Sequence, residues 1–459
     1  TIITAVRDHR DNPGYSDDYI DVFDFPQTEL DSGYWSLMPP EEFQVIDRLE
    51  QKSTDTVGGI TDSVFAGTQT SANDVFLVTP IDADRVQPED SDGTVTVVPK
   101  GEQKEYEVET DALRPWLQGR DVERWRGSWS GQHVIVPYSI GRDESGELTT
   151  ELLSQEYLKS KLPLTWDYLC EHRDELERRE GGRFERRDDW YDFGYPKSMD
   201  RFEDPKLIGA EIASEPTFMF DSGSWYFKSA YGIQLETQHQ DRTEMFAGLL
   251  NSNVLDFYLK HYTSLKMGGY YKYTTSYLSP LPVPWEKKEQ TCKIRDAISR
   301  ITEMLDLRSK IDRFPEAYIG EYNGQIDYIT YEWQTRRYPI NADVQGDVNG
   351  EFSVQAGRTD TIRDPAMYSD NRDARKKRAE YVCTAVNGRN AKRSEEMTIP
   401  IPQSDDGVEE LLSQLEADQR KVEQTDIDEL EAEVNEAVYE LFDLTGDERV
   451  VIEEYLEVF

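Results

Sequence analysis

The chain has few of the residues that build metal centres and disulfide frameworks. Three cysteines and five histidines are spread over its 459 residues. Cys170, Cys292 and Cys383 stand far apart, with no Cys-x-x-Cys pair among them. Zinc sites and disulfide scaffolds hold such residues at short, repeated spacings. The sequence therefore argues against both and indicates a protein of a reducing interior.

Long apolar runs are missing as well. No stretch approaches the roughly 18 consecutive apolar residues of a membrane-spanning helix, and the first residues lack the apolar centre of a signal peptide. We therefore predict a cytoplasmic protein without a membrane partner. Because the chain begins at Thr1 rather than at a methionine, we expect either processing or a piece of a longer protein.

Common catalytic motifs are absent too. The sequence contains no Gly-x-Gly-x-x-Gly, no P-loop and no Gly-x-Ser-x-Gly. The nearest approach to the Asn-Pro-Pro-aromatic motif of methyltransferases is 12–15, Asn-Pro-Gly-Tyr, which lacks the second proline and is typical of a turn. A nuclease site built from Glu203, Asp204, Lys206 and Glu211 would have the wrong order, and acids are frequent throughout the chain. We therefore predict no catalytic residue, no metal and no cofactor in this chain.

Positive charge is scarce. Lysine and arginine number 51 against 92 acidic residues, which gives a formal net charge of −41. The acids are distributed along the whole chain, and such a coat suits molar salt, where the Debye length is only about 3 Å. We predict that the source is a salt-in halophile, an archaeon. The charge then reflects the solvent and does not exclude nucleic acid as a partner.

The length and the 37% hydrophobic content predict two or three folded domains. Periodicity and turn residues predict a mixture of helices and strands. The predicted elements are a strand at 19–25, a helix at 39–51, a short helix at 113–119, a strand at 133–138, helices from 150 to 180 with a break at Pro163, a three-stranded meander at 205–235 with a turn at 221–224, a helix at 293–312, strands between 318 and 354, and helices from 407 to 459.

The most informative stretch is 248–284. An amphipathic helix is predicted first, followed by Gly268 and Gly269 and then by a segment rich in tyrosine, lysine and proline. Its tyrosines are Tyr270, Tyr271, Tyr273 and Tyr277, and its lysines are Lys266 and Lys272. Lysine neutralises phosphate and tyrosine offers a stacking face and a hydroxyl, so this loop is typical of a surface that meets a polyanion.

Two further stretches allow two interpretations each. Residues 357–393 hold ten basic and five acidic residues, a net charge of +5 in an acidic chain. This basic island either contacts phosphate or is a helix face balanced by acidic neighbours from elsewhere. The aromatic loop at 190–197 either stacks on bases or fills the core, and we favour the core.

These segments, in this order, resemble a known family. The strings VFAGTQTSANDVFLV, LRPWLQGRDVERWRG, LIGAEIASEPTFMFD with YFKSAYGIQL, and AGLLNSNVLDFYLKHYTSLKMGGYYKYTTSYLSPLPVP are similar to the C-terminal specificity region of type II restriction enzyme-methylases, the TaqI-like specificity domain. The adenine methyltransferases of BREX phage-defence systems carry a similar region. The tail EVNEAVYELFDLTGDERVVIEEYL resembles the closing helix pair.

The resemblance implies an α+β fold: a mixed, mostly antiparallel β-sheet target-recognition domain with flanking helices, a β-rich insertion and a C-terminal helical, coiled-coil-like segment. The implied domains are 1–50, the tail of a methyltransferase-like domain; 51–290, the target-recognition domain; 291–314, a connecting helix; 315–400, the insertion with the basic island; and 401–459, the C-terminal helical region.

The resemblance implies a sequence-specific DNA recognition module of an adenine-N6 DNA methyltransferase from a restriction-modification or phage-defence system. Double-stranded DNA and a methyltransferase catalytic domain or subunit are the implied partners, and S-adenosylmethionine is the cofactor of the parent enzyme. The alternatives are a complete DNA-modifying enzyme with an unrecognised active site, and a protein-interaction module of a defence complex. The residues predicted to contact DNA are Arg120, Arg124, Lys266, Tyr271, Lys272, Arg375, Lys376, Lys377 and Arg378.

Overall fold

A computed structural model describes residues 2–17, 20, 22–24, 38–81, 93–142, 148–284, 288–334, 339–348 and 350–458. Of the strand predicted at 19–25, residues 19, 21 and 25 lie outside the described residues, and residues 20 and 22–24 belong to no strand. The fold is α+β, as predicted, with helices and several mixed or antiparallel sheets and with a helical C-terminal region. Within the described ranges, no helix is both long enough and apolar enough to cross a lipid bilayer.

The helices, numbered in chain order, include the predicted break at Pro163 and the predicted C-terminal helical region. They are α1 Ile2–His9, α2 Pro40–Lys52, α3 Val57–Ile60, α4 Asn73–Phe76, α5 Gln155–Lys161, α6 Pro163–Glu171, α7 Arg173–Gly182, α8 Thr243–Leu250, α9 Asn253–Tyr262, α10 Thr275–Leu278, α11 Lys288–Asp312, α12 Glu316–Ile319, α13 Arg372–Val386, α14 Asp405–Glu423, α15 Ile427–Leu441 and α16 Gly446–Val458.

Several of these helices begin at residues that satisfy their free amide groups. Ser154, Ser252 and Ser404 accept hydrogen bonds from the first turns of α5, α9 and α14 through their hydroxyl groups. Asn371 caps α13 in the same way, by its side-chain oxygen. Local sequence therefore fixes these starts without help from distant residues.

The strands are short and are numbered in the same way. They are β1 Asp55–Thr56, β2 Thr61–Ala66, β3 Leu77–Pro80, β4 Thr94–Pro99, β5 Tyr106–Glu109, β6 Leu113–Gln118, β7 His133–Ile135, β8 Tyr138–Arg142, β9 Leu148–Leu152, β10 Lys206–Ala210, β11 Ile212–Ala213, β12 Met219–Asp221, β13 Tyr226–Lys228, β14 Ala230–Leu235, β15 Tyr271–Lys272, β16 Pro282–Val283, β17 Ile326–Glu332, β18 Ala342–Gly346, β19 Phe352–Ala356, β20 Asp360–Ile362 and β21 Glu396–Pro402.

The chain divides into two compact units. Unit 1 comprises Thr1–Ile298 and Glu431–Phe459, and unit 2 comprises Ser299–Leu430. The boundaries fall inside α11 and α15. The five domains predicted from the sequence are finer than this division by compactness, and they stay a prediction.

Unit 1 contains the two largest sheets. One has the strand order β12-β10-β14-β2, and the other has the order β13-β6-β7-β3-β4-β5. Strand β13 runs parallel to β6, whereas the other neighbours in these two sheets pair antiparallel. The core of this unit is aromatic and includes the fully buried Trp116, Trp190 and Tyr226.

Unit 2 has its own core. Strands β18, β19 and β20 form an antiparallel sheet, and β17 pairs with β21. Helix α13 packs on β18 and β19. Trp333, Tyr381 and Val354 are buried between these elements.

Two predicted elements are wrong. The short helix predicted at 113–119 is strand β6, followed by a tight turn at Gly119–Asp121. Its side chains Leu113, Trp116 and Leu117 are buried, and it pairs with β7 and β13. The pairing with distant strands outweighs the local helical pattern.

The meander predicted at 205–235 is also wrong. Strand β10 lies between β12 and β14, and β13 leaves this sheet to join β6 in the other one. The turn at 221–224 is organised by the carboxylate of Asp221, which accepts hydrogen bonds from the backbone amides of Gly223, Ser224 and Trp225. The chain is thereby directed into the second sheet rather than back along the first.

Candidate nucleic-acid interface

Five strand ends of unit 1 meet at one edge. They are the C-terminal ends of β2, β6, β10 and β13 and the N-terminal end of β14. Gln118 at the end of β6 pairs with Lys228 at the end of β13, and Ala210 at the end of β10 pairs with Ala230 at the start of β14. We call this edge the strand-end rim.

Backbone hydrogen bonds tie the loops of the strand-end rim together around Ser229. The carbonyl of Ser229 accepts from the amide of Glu211 at 3.1 Å, and the carbonyl of Glu211 accepts from the amide of Tyr273 at 2.9 Å. Gly119 approaches Ser229 so closely that a Cβ there would lie 2.0 Å from its carbonyl oxygen. The rim is therefore a rigid framework, and rigid frameworks position binding loops well.

Basic side chains project from this framework. The side chain of Arg120 is 77% exposed, and its nearest carboxylate is that of Asp121 at 3.6 Å. Lys228 occupies the paired position beside Gln118 and is half-buried. Lys228, Lys266 and Lys272 form no ion pair with any carboxylate in the described part of the chain.

The glycine-tyrosine loop between α9 and β15 forms one end of the rim. Gly268 and Gly269 have φ values of +92° and +80°, a conformation that favours glycine. The amide of Lys266 donates to the carbonyl of Tyr270 at 2.7 Å and closes the loop. At its tip Met267 is 99% exposed. The loop thus presents an apolar side chain beside two lysines.

The floor of this loop is buried and charged. Lys260 pairs with Asp256 at 2.9 Å, and both side chains are more than nine-tenths buried. Burial raises the pKa of Asp256, and Lys260 opposes that effect. Tyr271 is also buried, with its ring centroid 5.1 Å from the Lys260 amine. Burial raises the pKa of Tyr271, so its hydroxyl remains neutral. Tyr271 therefore supports the loop from below, and its buried ring is poorly placed for the predicted contact with base edges.

Arg124 lies near the rim, but carboxylates and a backbone carbonyl of this chain already bind its guanidinium group. Its guanidinium contacts Glu431 and Glu215, each at 3.1 Å, and also the carbonyl of Pro216 at 3.4 Å. Its side chain is 23% exposed. These contacts favour a structural role over the predicted role in binding phosphate.

Five of the ten basic residues of the basic island form ion pairs within unit 2. The other five are exposed and form no ion pair among the described residues: Arg358, Arg363, Arg372, Lys392 and Arg393. On α13, Arg375, Lys376 and Lys377 pair with Glu351, Glu380 and Glu409. Arg378 is buried; it pairs with Asp405 at 2.7 Å and donates to the carbonyls of Ala366, Pro402 and Gln403. The contacts fit the alternative interpretation, a helix face neutralised by acidic neighbours. The rim residues and the island residues belong to different units.

Sequence reasoning missed a second group of rim residues. Gln69 forms a β-bridge with Tyr195, which is 38% exposed, and Arg183 and Lys197 are exposed beside it. The sequence favours the core for the aromatic loop at 190–197; Trp190, Tyr191 and Phe193 are buried, but Tyr195 is exposed. Of the two interpretations of this loop, only base stacking predicts an exposed aromatic residue such as Tyr195.

The described part of the chain holds no cluster of three or more histidine, cysteine or acidic side chains placed to bind a metal ion.

Burial depresses the pKa of His133 to about 4, so this histidine is neutral at physiological pH. Its Nδ1 lies 3.2 Å from the carbonyl of Gly131, and it packs against Trp129, which is a structural arrangement.

A comparison with known protein families matches a segment that contains four of the rim strands. Residues 114–283 match the family model of the TaqI-like C-terminal specificity domain. The TaqI-like domain is a DNA-recognition specificity domain of methyltransferases. The match covers a little over a third of the chain. It includes β6, β10, β13 and β14 of the rim together with the glycine-tyrosine loop, and it ends before unit 2.

Proposed function

We propose that this chain is the sequence-specific DNA recognition module of an adenine-N6 DNA methyltransferase in a restriction-modification or phage-defence system of the BREX type. The strand-end rim binds duplex DNA. The observation that carries this proposal is the coincidence of the TaqI-like match with an edge of unit 1 that bears unpaired cations.

Each group at the rim has a task in this proposal. Arg120, Lys228, Lys266 and Lys272 contact phosphates, which fixes the orientation of the duplex. Met267 enters a groove beside these cations, because exposed apolar side chains on DNA-binding loops insert between base steps. Tyr271, Asp256 and Lys260 hold the loop in place.

Methyl transfer belongs to a catalytic domain or subunit outside this chain. The sequence has neither Gly-x-Gly-x-x-Gly nor Asn-Pro-Pro-aromatic, which supports assigning S-adenosylmethionine to that partner. The base to be methylated leaves the duplex and enters the pocket of that partner. We place the system in the cytoplasm of a halophilic archaeon, on the basis of the net charge of −41.

The proposal is tested by the salt dependence of binding to duplex DNA, followed by fluorescence anisotropy. Replacing Lys228 or Lys266 by Gln should weaken binding to all sequences and reduce the slope of log K against log salt by about 1, since each phosphate contact releases counterions. Lys376→Gln is the matched control, because Lys376 is exposed but pairs with Glu380 in unit 2.

An equal effect of Lys376→Gln and of the rim variants would show that the rim is not the binding surface. If the unmodified chain bound no duplex DNA at any salt concentration at which it is folded, the recognition function itself would be wrong. A protein-interaction module would then be the better description of the chain.

A further inference from the structure

The loop from Gly67 to Ser71 follows β2 at the strand-end rim and lies outside the TaqI-like match. Thr68 and Thr70 are fully buried, whereas Gln69 between them is exposed. No hydrogen bond to the side-chain amide of Gln69 comes from the residues that the structure describes. The loop therefore buries Thr68 and Thr70 and exposes the side-chain amide of Gln69, which has no hydrogen-bond partner among the described residues.

This loop is held on both sides. The amide of Thr68 donates to the carbonyl of Phe227 at 3.1 Å, and the amide of Gln69 donates to the carbonyl of Tyr195 at 3.4 Å. The hydroxyl of Ser71 donates to the carbonyl of Phe193 at 2.9 Å. Because both flanks are fixed, Gln69 projects from a constrained backbone, as base readout requires.

The close approach of the two segments depends on Gly194. It has a φ of +86°, and a Cβ there would lie 2.8 Å from Oγ of Ser71. This contact brings the aromatic loop beside the Gly67–Ser71 loop and places Tyr195 next to Gln69.

Arg183 lies beside Tyr195. Its guanidinium carbon is 5.6 Å from the centroid of the Tyr195 ring and 5.5 Å from that of Phe184. The side chain is exposed, and no carboxylate among the described residues pairs with it. Its neighbours Arg178 and Arg187 do form such pairs, with Asp174 and Asp189. Stacking on aromatic rings orients the guanidinium without consuming its donors.

The chemistry of these two groups matches base edges in the major groove. A glutamine amide pairs bidentately with N6 and N7 of adenine, and an arginine guanidinium pairs with O6 and N7 of guanine. We propose that Gln69 and Arg183 read an adenine and a guanine at nearby positions of the DNA target. This assignment rests on the proposed function, in which the rim binds duplex DNA.

The assignment is tested by selection from a pool of randomised DNA duplexes, with the bound fraction sequenced. The unmodified chain should enrich a motif that contains an adenine and a guanine. Gln69→Ala should relax discrimination at the adenine alone, and Arg183→Ala at the guanine alone, each by about 10- to 100-fold. Gln238→Ala is the control, since Gln238 is exposed beyond the opposite end of β14.

The possible outcomes distinguish the base-reading roles of Gln69 and Arg183 from the proposed DNA-recognition function of the chain. If the unmodified chain enriches a motif and neither variant changes it, the base-reading role of these residues is wrong while the recognition function stands. A uniform loss of affinity without a change in the motif would make them phosphate contacts and would also overturn the assignment. If the unmodified chain binds DNA but enriches no motif, both specificity and the assignment fail.

Discussion

The buried cation Lys206 shows how single residues shape the rim. Its amine lies 2.5 Å from Oδ2 of Asp221, and both side chains are almost completely buried. Burial lowers the pKa of Lys206, and the charge of Asp221 opposes that effect. Lys206 and Asp221 are paired positions of β10 and β12, and Asp221 also organises the turn that sends the chain from β12 to β13. This ion pair therefore fixes the point at which the chain leaves the first sheet.

We expect Lys206→Met to lower the free energy of unfolding by about 3–5 kcal/mol, because it leaves the carboxylate of Asp221 buried without its counter-charge. Chemical denaturation at constant high salt measures this loss. Lys376→Met is the control; it removes an exposed cation with a single carboxylate partner and should cost much less. Equal losses in the two variants would contradict the structural role of Lys206.

Residue type alone predicted which side chains could bind DNA, but not which of them are available. Lys266 and Lys272 lie at the rim without ion pairs among the described residues, whereas Tyr271 and Arg378 are buried. The difference arises from partners distant in sequence, such as Asp405 for Arg378. A local pattern of charge carries no information on such partners, and it does not point to an uncharged side chain such as that of Gln69.

At the scale of elements, the turn after β6 is tied to a C-terminal helix. Trp125 has a φ of +73°, which is strained for a bulky residue. Its indole Nε1 donates to Glu431 on α15 at 2.5 Å, and Arg124 donates to the second oxygen of the same carboxylate at 3.1 Å. One carboxylate thus holds two consecutive residues of a strained turn close to Arg120 at the rim.

A double-mutant cycle of Arg124→Ala and Glu431→Ala should give a coupling energy of about 1–3 kcal/mol in the free energy of unfolding, because the residues share a charged network. The cycle of Arg126 and Glu123, an exposed pair three residues apart, is the control and should give about 0.5 kcal/mol or less. A coupling for Arg124 no larger than this control would restore Arg124 as a candidate phosphate contact.

Helices and their starts were predictable, and sheet order was not. The proline at the start of α6 and the serine caps act within a few residues, so the local sequence suffices. The parallel pairing of β13 with β6 joins segments about a hundred residues apart, and the buried carboxylate that redirects the chain is not recognisable among many acids. The pairing of β13 with β6 brings the loops of the rim together. The sequence therefore indicates which segments form loops, but not that these loops lie at one edge.

For the whole molecule, the net charge of −41 sets the conditions under which the other predictions apply. Most of the described acids are exposed, and the ion pairs use only part of them. At low ionic strength their repulsion is unscreened, because the Debye length rises from about 3 Å at 1 M salt to about 10 Å at 0.1 M. The same salt weakens phosphate contacts, so under the proposed function the chain depends on hydrogen bonds and shape at its base contacts.

We therefore expect the midpoint of thermal unfolding to rise steadily as KCl is raised from about 0.1 M to above 1 M, as screening reduces the repulsion within the compact state. Calorimetry at several salt concentrations measures this trend, with sucrose as a control for the exclusion of a neutral solute from the surface. Replacing four exposed glutamates of the C-terminal helices by glutamine should flatten the dependence; suitable positions are Glu410, Glu423, Glu454 and Glu457. A midpoint that does not change with salt, or an unaltered slope in the glutamine variant, would mean that the acidic coat does not limit stability, and the inference of a halophilic source would lose its physical basis.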